Sequence, residues 1–403
     1  MNVPTTAAAL TELPAYLYDL AALRAHVREV RAALPERVEL YYAAKANPEG
    51  PVLAALHGLV DGYEVSSGGE LTHVHATVPD APLAFGGPGK SPEEIAAALR
   101  LPAVHRWHVE SERELHLLAA AAAAADRPVD VLLRVNLPVG DGDLAGVALA
   151  MGGRPTPFGL DPERVERCLA LLASPGAARL RLRGVHAHLA SGLSAAEHLR
   201  VAQRVVDWSA ALAARHGLAL EEVNVGGGMA VDYDDPDARF DWPAFGRGLA
   251  ELLGRHPSLT LRIEPGRALT AHCGWYATEV LDVKRSHGED FAVVRGGTHH
   301  LRTPATRGHS QPFTVLPVDP WPHPWPRPGV TDAPVTVSGQ LCTPKDVLAS
   351  RTPVAALRAG DRLLFAMAGA YAWNISHHEF LMHPRPAFHY LPDEGSGPSA
   401  AAP

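Results

Sequence analysis

Lys45 ends an apolar run, VELYYAAK, whose β-branched and aromatic residues are typical of a buried strand. Lysine is rare in this chain, where arginine supplies most of the 36 Lys and Arg side chains. A desolvated amine can lose its proton and attack a carbonyl to form a Schiff base, which a guanidinium cannot do. The pattern therefore favours either a Schiff-base lysine or a lysine that packs its stem at a strand end and keeps its ammonium in water.

Three glycines follow a second apolar segment in VNVGGG, residues 223–228. Bare backbone N–H groups can surround an anion such as a phosphate, although a glycine cluster after a strand is often only a turn. Glu264 opens the sequence EPGR after another apolar segment, and a buried carboxylate needs a cation or a hydrogen-bond donor. Arg267 is then either its salt-bridge partner, or it faces the phosphate while Glu264 binds a protonated ring nitrogen of a ligand.

Two histidines occur in GVHAHLAS, residues 184–191, which also contains Ser191. Strand alternation places His186 and His188 on one face. A lone histidine here is usually a core residue, but beside a lysine and a glycine loop it can stack on a flat cofactor. A Schiff-base lysine, a flat imidazole, a phosphate loop and a carboxylate for a ring nitrogen together match pyridoxal phosphate, which we expect as the cofactor.

The elements that must position these residues alternate between strand-like and helix-like segments. About eight β/α units over roughly 240 residues have the size and rhythm of a β/α (TIM-type) barrel, and a doubly wound open sheet would use the same alternation. The barrel is favoured because the unusual residues follow the first, sixth, seventh and eighth strands, where barrel enzymes place their sites. After the strand that precedes Lys45, the strand candidates are 61–66, 82–85, 104–109, 129–136, 180–189, 219–225 and 259–264.

A mostly β domain is expected after the barrel, because helical periodicity nearly disappears beyond residue 275. Its strand candidates are 276–284, 291–295, 334–337 and 362–365, and the proline-rich 316–328 is expected to be an extended loop. The expected division is an N-terminal segment, 1–30, that joins the β domain, a cofactor-binding barrel, 31–273, a β domain, 274–391, and a disordered tail, 392–403.

Composition excludes several classes of protein. A net charge of -8 with no basic run argues against nucleic-acid binding, and no apolar run reaches membrane-spanning length. The first residues lack the charged and apolar regions of a signal peptide, and the three cysteines are too few for a disulfide framework, so we expect a soluble cytoplasmic protein. We expect no metal, because HEFLMH, residues 378–383, is one residue too long for the helical zinc motif.

Seven motifs then carry a family resemblance: YYAAKAN, EVSSGGEL, GVHAHLAS, NVGGGMAVDY, EPGR, GQLCTPKD and GAY. In this order, over nearly the whole chain, they resemble the fold-type III pyridoxal-phosphate decarboxylases, the ornithine, arginine and diaminopimelate decarboxylase family. The resemblance implies a TIM-type barrel with a β domain, and a homodimer whose active site lies at the subunit interface.

The resemblance also implies a role for each matching residue. Lys45 would hold the cofactor covalently, His188 would stack on its ring, and Glu264 would keep the ring nitrogen protonated. Cys342, contributed across the dimer interface, would return a proton to the substrate carbon. The phosphate would be held by Ser191, Gly227, Gly228, Arg267 and Tyr371.

The departures from the family pattern concern the substrate. Thr343 stands where an acidic residue usually reads the distal amine, which argues against ornithine, lysine or free diaminopimelate. The CTPKD motif and the GAYAWNISHHEFLMHPRP ending look like a subgroup from siderophore and antibiotic biosynthesis, which acts on citrate-linked or carrier-linked amino acids. Thr343, Asp346 and Arg302 are the candidate substrate contacts. The histidines and arginines of 298–309 either meet a carboxylate-rich arm or form a solvated loop.

The expected function is a pyridoxal-phosphate-dependent decarboxylase that removes the α-carboxylate of an amino-acid head on a conjugated substrate. The alternatives are a diaminopimelate-type decarboxylase, a racemase or epimerase on the same cofactor, and a cofactor-free regulatory homologue. Cys342 favours decarboxylation over racemisation. The intact Lys45, His188 and Glu264 argue against a regulatory homologue.

Overall fold

A computed structural model describes residues 2–138, 149–150 and 152–391. The expected disordered tail, 392–403, lies outside these described residues. The chain divides into two compact units. The barrel unit contains residues 26–231 and 239–269, and the β unit contains residues 1–25, 232–238 and 270–403.

The barrel unit is a closed cylinder of eight parallel strands. This confirms the predicted barrel and excludes the open doubly wound sheet. In chain order, barrel strands one to eight are Val38–Ala43, Gly62–Val65, Leu83–Phe85, Val104–Val109, Val129–Arg134, Leu180–His186, Glu222–Asn224 and Thr260–Ile263. The eighth strand pairs with the first, Leu261 beside Val38, and so brings the ends of the sequence motifs to neighbouring positions.

Helices alternate with the barrel strands, and serine residues fix where several of them begin. Ser91 and Ser194 each form a capping box with the glutamate three residues later, which satisfies backbone N–H groups at the helix start. Gly217 ends the longest helix in the left-handed conformation. The helices are Leu20–Ala33, Gly50–Leu56, Gly68–Thr77, Pro92–Leu99, Glu112–Ala124, Pro162–Leu172, Ala195–His216 and Trp242–Gly254, and a short turn of helix, Arg267–Thr270, follows strand eight.

The β unit is built on one eight-stranded sheet. Its long central strand, Gly274–Ser286, pairs with Ala15–Asp19, Arg362–Phe365 and Glu289–Val294. The N-terminal strand therefore joins the sheet of this unit, and its Leu17 packs in a core with Val3, Ala277 and Leu391. The remaining strands are Phe313–Leu316, Gly329–Ser338, Val347–Arg358 and Ala387–Leu391, and the unit also contains the short helices Val3–Ala9 and Thr303–Arg307.

The division of the chain differs from the expected one at three places: residues 26–30 group with the barrel unit, whereas residues 232–238 and 270–273 group with the β unit. Within the β unit, the ring of Tyr233 in the segment 232–238 stacks on His309 with centroids 4.2 Å apart. The guanidinium of Arg307 lies over the same tyrosine ring at 5.5 Å. No helix in the described part of the chain is long and apolar enough to cross a membrane.

Candidate active site

Lys45 lies in a short 3-10 turn, Ala44–Ala46, directly after the first barrel strand. Its Nζ is 2.5 Å from Oε2 of Glu64 and 3.3 Å from Oγ of Ser66. Glu64 lies on the second strand, with Ala43 of the first strand as its cross-strand neighbour. The lysine side chain is 45% exposed and that of Glu64 only 5%, so a buried carboxylate holds an accessible amine rather than a desolvated one.

Glu64 is held in its ionised form by its neighbours. Burial would raise the pKa of this carboxyl, but the charge of Lys45 and hydrogen bonds from Lys45 and Ser66 together lower the pKa below its usual range. Ser66 Oγ donates to Oε1 at 2.8 Å. The Lys45 amine is therefore fixed in position by a charged partner that the sequence analysis did not single out.

Glu264 follows the eighth strand and is almost fully buried. Asn224 Nδ2 donates to its Oε1 at 2.6 Å, and the imidazoles of His108 and His186 face its two oxygens at 3.7 and 3.6 Å. Burial, and next the charge of Glu64, raises the pKa of Glu264. A cation beside this carboxyl, such as a protonated ring nitrogen, would stabilise its ionised form.

His188 presents a neutral imidazole beside the glycine loop. Burial, and next the charges of Arg134 and Lys45, lowers its pKa to about 3. The backbone N–H of Gly227 donates to Nδ1 at 3.2 Å, which leaves the ring proton on Nε2. A neutral, oriented imidazole is suited to stack on a flat aromatic ligand.

The glycine loop, Gly226–Gly228, packs where no side chain fits. A Cβ on Gly227 would overlap the carbonyl oxygen of Glu264, and a Cβ on Gly228 would overlap that of Ala190. Gly228 also has a positive φ of 97°, and its carbonyl oxygen accepts from the backbone N–H of Gly192 at 2.8 Å. The loop thus lies directly against Glu264 on one side and the Ala190–Ser191 segment on the other.

Arg267, the last residue of EPGR, begins the short helical turn Arg267–Thr270. The EPGR segment packs against the turn that contains Lys45. A Cβ on Gly266 would approach the Ala46 side chain to 2.7 Å, and Ala43 N–H donates to the Pro265 carbonyl at 3.3 Å. The structure therefore brings together the ends of the first, sixth, seventh and eighth strands. Lys45, His188, Ser191, Gly227, Gly228, Glu264 and Arg267 all belong to the barrel unit.

The other predicted site residues, Cys342, Thr343, Asp346, Arg302 and Tyr371, belong to the β unit. Cys342 is exposed. Asp346 is buried and accepts hydrogen bonds from the Thr298 backbone and hydroxyl, at 2.6 and 2.8 Å, and from the Leu341 backbone at 2.8 Å. These bonds tie two loops together, so we assign Asp346 a structural role instead of the expected substrate contact.

The barrel residues fit pyridoxal phosphate by their chemistry. An amine, a neutral imidazole, a buried carboxyl with a raised pKa and a side-chain-free loop match the aldehyde, ring, ring nitrogen and phosphate of that cofactor. Residues that sequence analysis missed, Glu64, Asn224 and His108, surround the same groups. Glu64 and Asn224 each open a sequence motif, EVSSGGEL and NVGGGMAVDY, whereas His108, on the fourth barrel strand, had no sequence signal.

Three of these buried residues also have the composition of a metal site. The ligand atoms of His108, His186 and Glu264 lie within 4.8 Å of one another. The two imidazole rings lie against each other, with centroids 4.2 Å apart and planes tilted by 30°. Asn224 Nδ2 also faces His108 Nε2 at 3.4 Å. The arrangement favours hydrogen bonding to Glu264 over metal binding.

Comparison with known proteins agrees with this chemistry. The family model for the pyridoxal-binding domain of pyridoxal-dependent decarboxylases matches residues 20–271. The chain belongs to this family, and it is a pyridoxal-phosphate-dependent enzyme, as the motifs predicted.

Individual relatives cover almost the whole chain. The 2-[(L-alanin-3-ylcarbamoyl)methyl]-2-hydroxybutanedioate decarboxylase of Staphylococcus aureus is 38% identical over 93% of this chain and 93% of its own length. The L-glutamyl-[BtrI acyl-carrier protein] decarboxylase of Niallia circulans is 30% identical over 93% and 88%. The crystal structure of Helicobacter pylori diaminopimelate decarboxylase with L-lysine is 25% identical, with a TM-score of 0.83 over 98% of this chain and 95% of that chain.

Gly228→Ala is predicted to weaken cofactor binding about tenfold or more, because the new Cβ pushes the loop away from Ala190. The dissociation constant for pyridoxal phosphate, measured by fluorescence titration, checks this. Gly217→Ala is the control, since Gly217 also has a positive φ but no atom within 4 Å of the added Cβ. Equal losses in both variants would show that backbone strain, and not loop packing, is responsible.

Glu264→Gln is predicted to stabilise the cofactor-free protein at pH 8 while weakening cofactor binding. A raised pKa means that folding opposes ionisation, so the wild-type carboxyl costs stability above its folded pKa and nothing below its unfolded pKa. The gain should be on the order of 1–3 kcal/mol at pH 8 and disappear by about pH 4. Chemical denaturation at both pH values measures it, with the exposed Glu251→Gln as control. A variant less stable than wild type at pH 8 would contradict the assignment.

Proposed function

We propose that this chain decarboxylates the α-amino-acid head of a substrate whose other end is a carboxylate-rich acyl arm, in siderophore-type biosynthesis. The observation that carries the proposal is the group of Lys45, His188, Glu264 and the glycine loop at the ends of four barrel strands. The relative from Staphylococcus aureus supports the conjugated substrate, because its name describes an alanin-3-yl head joined through a carbamoyl link to a hydroxybutanedioate.

When bound, pyridoxal phosphate supplies a protonated ring that accepts the electron pair released as carbon dioxide leaves. Lys45 is the residue whose amine would bond to the cofactor, and the ionised Glu64 orients that amine at 2.5 Å. His188 would cover one face of the ring, and its low pKa keeps it uncharged at neutral pH. Glu264 would accept the ring N–H, and this interaction stabilises the protonated ring.

The phosphate would be bound by residues from three neighbouring loops. Gly227 and Gly228 offer backbone N–H groups, Ser191 offers a hydroxyl, and Arg267 offers a guanidinium at the start of a helical turn. Tyr371 of the β unit completes the proposed set. Thr303 Oγ1 donates to the Tyr371 carbonyl at 2.6 Å and so fixes its backbone, which has a positive φ of 49°.

Cys342 is the proposed donor of the proton that returns to the substrate carbon. Its thiol is exposed, whereas Cys168 and Cys273 are buried, with pKa values that burial raises to about 11 and 12. An exposed thiol can reach a substrate bound to a second chain. We therefore propose a homodimer in which each active site takes Cys342 from the partner.

Arg302 is the proposed contact for the acyl arm. Its Nη1 lies 2.5 Å from His377 Nδ1, and no carboxylate within the described residues pairs with it. Burial, and next the charge of Arg302, lowers the pKa of His377, so this histidine accepts from the guanidinium as a neutral ring. The remaining guanidinium N–H groups can bind a substrate carboxylate, for which their planar geometry is suited.

Thr343 separates this proposal from a diaminopimelate-type activity. A substrate with a distal ammonium needs a counter-ion, and a half-buried threonine hydroxyl supplies no charge. An arm that carries carboxylates needs a cationic partner instead, and Arg302 can supply that positive charge. A carrier-linked glutamate, as named for the relative from Niallia circulans, is the second candidate substrate.

The test is carbon dioxide release from a matched set of substrates. The hydroxybutanedioate conjugate named for the Staphylococcus aureus relative should be decarboxylated, whereas diaminopimelate, ornithine and lysine should not. Release from diaminopimelate alone would replace the proposal with a diaminopimelate decarboxylase. Release from L-glutamyl carrier protein alone would establish the second candidate.

Arg302→Gln is predicted to raise KM for the conjugate about tenfold or more, with kcat changed less, because it removes an ionic contact remote from the reacting carbon. Steady-state kinetics measures the two constants separately. Arg385→Gln is the control, since Arg385 is exposed and its ion pair within the described part of the chain is with the exposed Glu379 at 3.4 Å. An unchanged KM in the Arg302 variant would remove this residue from the substrate site.

A further inference from the structure

His108 and His186 form a buried stack beneath Glu264. His108 lies on the fourth barrel strand and His186 ends the sixth, and their exposed fractions are 0% and 3%. The ring centroids are 4.2 Å apart. Neither residue belongs to the groups that were predicted to touch the cofactor.

The two rings direct polar atoms at a single carboxyl. His186 Nε2 is 3.6 Å from Glu264 Oε2, and His108 Nε2 is 3.7 Å from Oε1. Among the described residues, neither ring nitrogen of His186 has a hydrogen-bond partner, and Nδ1 of His108 also has none. A buried polar atom without a partner destabilises the fold, so the two rings are placed here at a cost that a role in the site would explain.

We propose that the His108–His186 stack is a positioning device that holds Glu264 as a carboxylate aimed at the ring nitrogen of the cofactor. This inference rests on the proposed role of Glu264. A neutral imidazole N–H donates to a carboxylate and so favours its ionised form. A closure of a few tenths of an ångström turns the His186 contact into a hydrogen bond. His108 Nε2 faces the Asn224 Nδ2 donor at 3.4 Å, so His108 supports His186 and Asn224 by packing.

The positioning role requires that the imidazoles of His108 and His186 are both uncharged. Burial lowers the pKa of both rings well below the usual value. The next contribution for His108 is the charge of Arg262. For His186 it is repulsion between the two rings if both were protonated, followed by the charge of Arg134. An imidazolium would neutralise Glu264 and compete with the protonated ring nitrogen. A neutral ring orients the carboxylate and leaves its charge for the cofactor.

Asn224 supplies a further hydrogen bond to Glu264. Asn224 Nδ2 donates to Oε1 at 2.6 Å, and its Oδ1 accepts from the Gly226 backbone N–H at 2.9 Å. The Asn224 amide therefore holds Oε1 of the carboxyl, and His186 faces Oε2. Asn224 therefore links the position of the Glu264 carboxyl to that of the glycine loop.

The experiment compares binding of pyridoxal phosphate with binding of its carbocyclic analogue, in which a C–H group replaces the ring nitrogen. Full-length wild-type protein should prefer the natural cofactor, since only that ligand can pair with Glu264. His186→Leu should lower this preference about tenfold, the value of one hydrogen bond to a charged group. His186→Gln, which keeps a donor near the Nε2 position, should restore most of it.

His198→Leu is the matched control for a buried histidine. His198 Nε2 bonds the Gly227 carbonyl at 2.9 Å, so its loss should weaken both ligands equally and leave their ratio unchanged. His108→Leu should lower the ratio in the same direction as His186→Leu, and it gives a second reading if the latter does not fold.

The possible outcomes separate this inference from the proposed function. A wild-type protein that binds neither ligand, or binds both equally, would overturn the role of Glu264 itself. A wild-type preference that survives in both leucine variants would overturn the positioning role alone. A ratio that falls equally in the His198 variant would show a general loss of packing and would also overturn it.

Discussion

The proximity of two buried carboxyls to one lysine is the constraint on which the rest of the site depends. The Lys45 ammonium keeps Glu64 ionised in spite of its burial. The resulting negative charge, added to burial, raises the pKa of Glu264. The pKa values of these two buried carboxyls are therefore shifted in opposite directions, and this difference suits Glu64 to hold an amine and Glu264 to accept the N–H of a ring.

Backbone packing places these charges beside the loops that we propose to bind the phosphate. The glycine loop after strand seven lies against Glu264 and against the Ala190–Ser191 segment, at distances that a side chain would prevent. The loop after strand eight lies in turn against the Lys45 turn. Since parallel strands in a closed barrel end at one rim, four segments far apart in sequence meet there.

The sequence was sufficient for the eight barrel strands and for the family, because apolar runs and short motifs are local signals. It did not reveal Glu64 as the partner of Lys45, because that contact depends on which strands become neighbours. Strand Val347–Arg358 was also missed, since Arg351 and Pro353 interrupt its pattern at an edge of the sheet, where proline is tolerated. The sequence predicted Asp346 as a substrate contact. We assign it a structural role instead, because it is buried and accepts hydrogen bonds from the backbones of Thr298 and Leu341 in two loops.

The central claim is that Lys45 bonds to pyridoxal phosphate. Borohydride reduction of the protein with its cofactor, followed by peptide mass analysis, tests it most directly. The account predicts that the mass of the reduced cofactor is found on the peptide that contains Lys45, and that it is lost in Lys45→Ala but kept in the exposed-site control Lys345→Ala. Cofactor on another lysine, or none on a wild-type protein incubated with pyridoxal phosphate, would contradict the account.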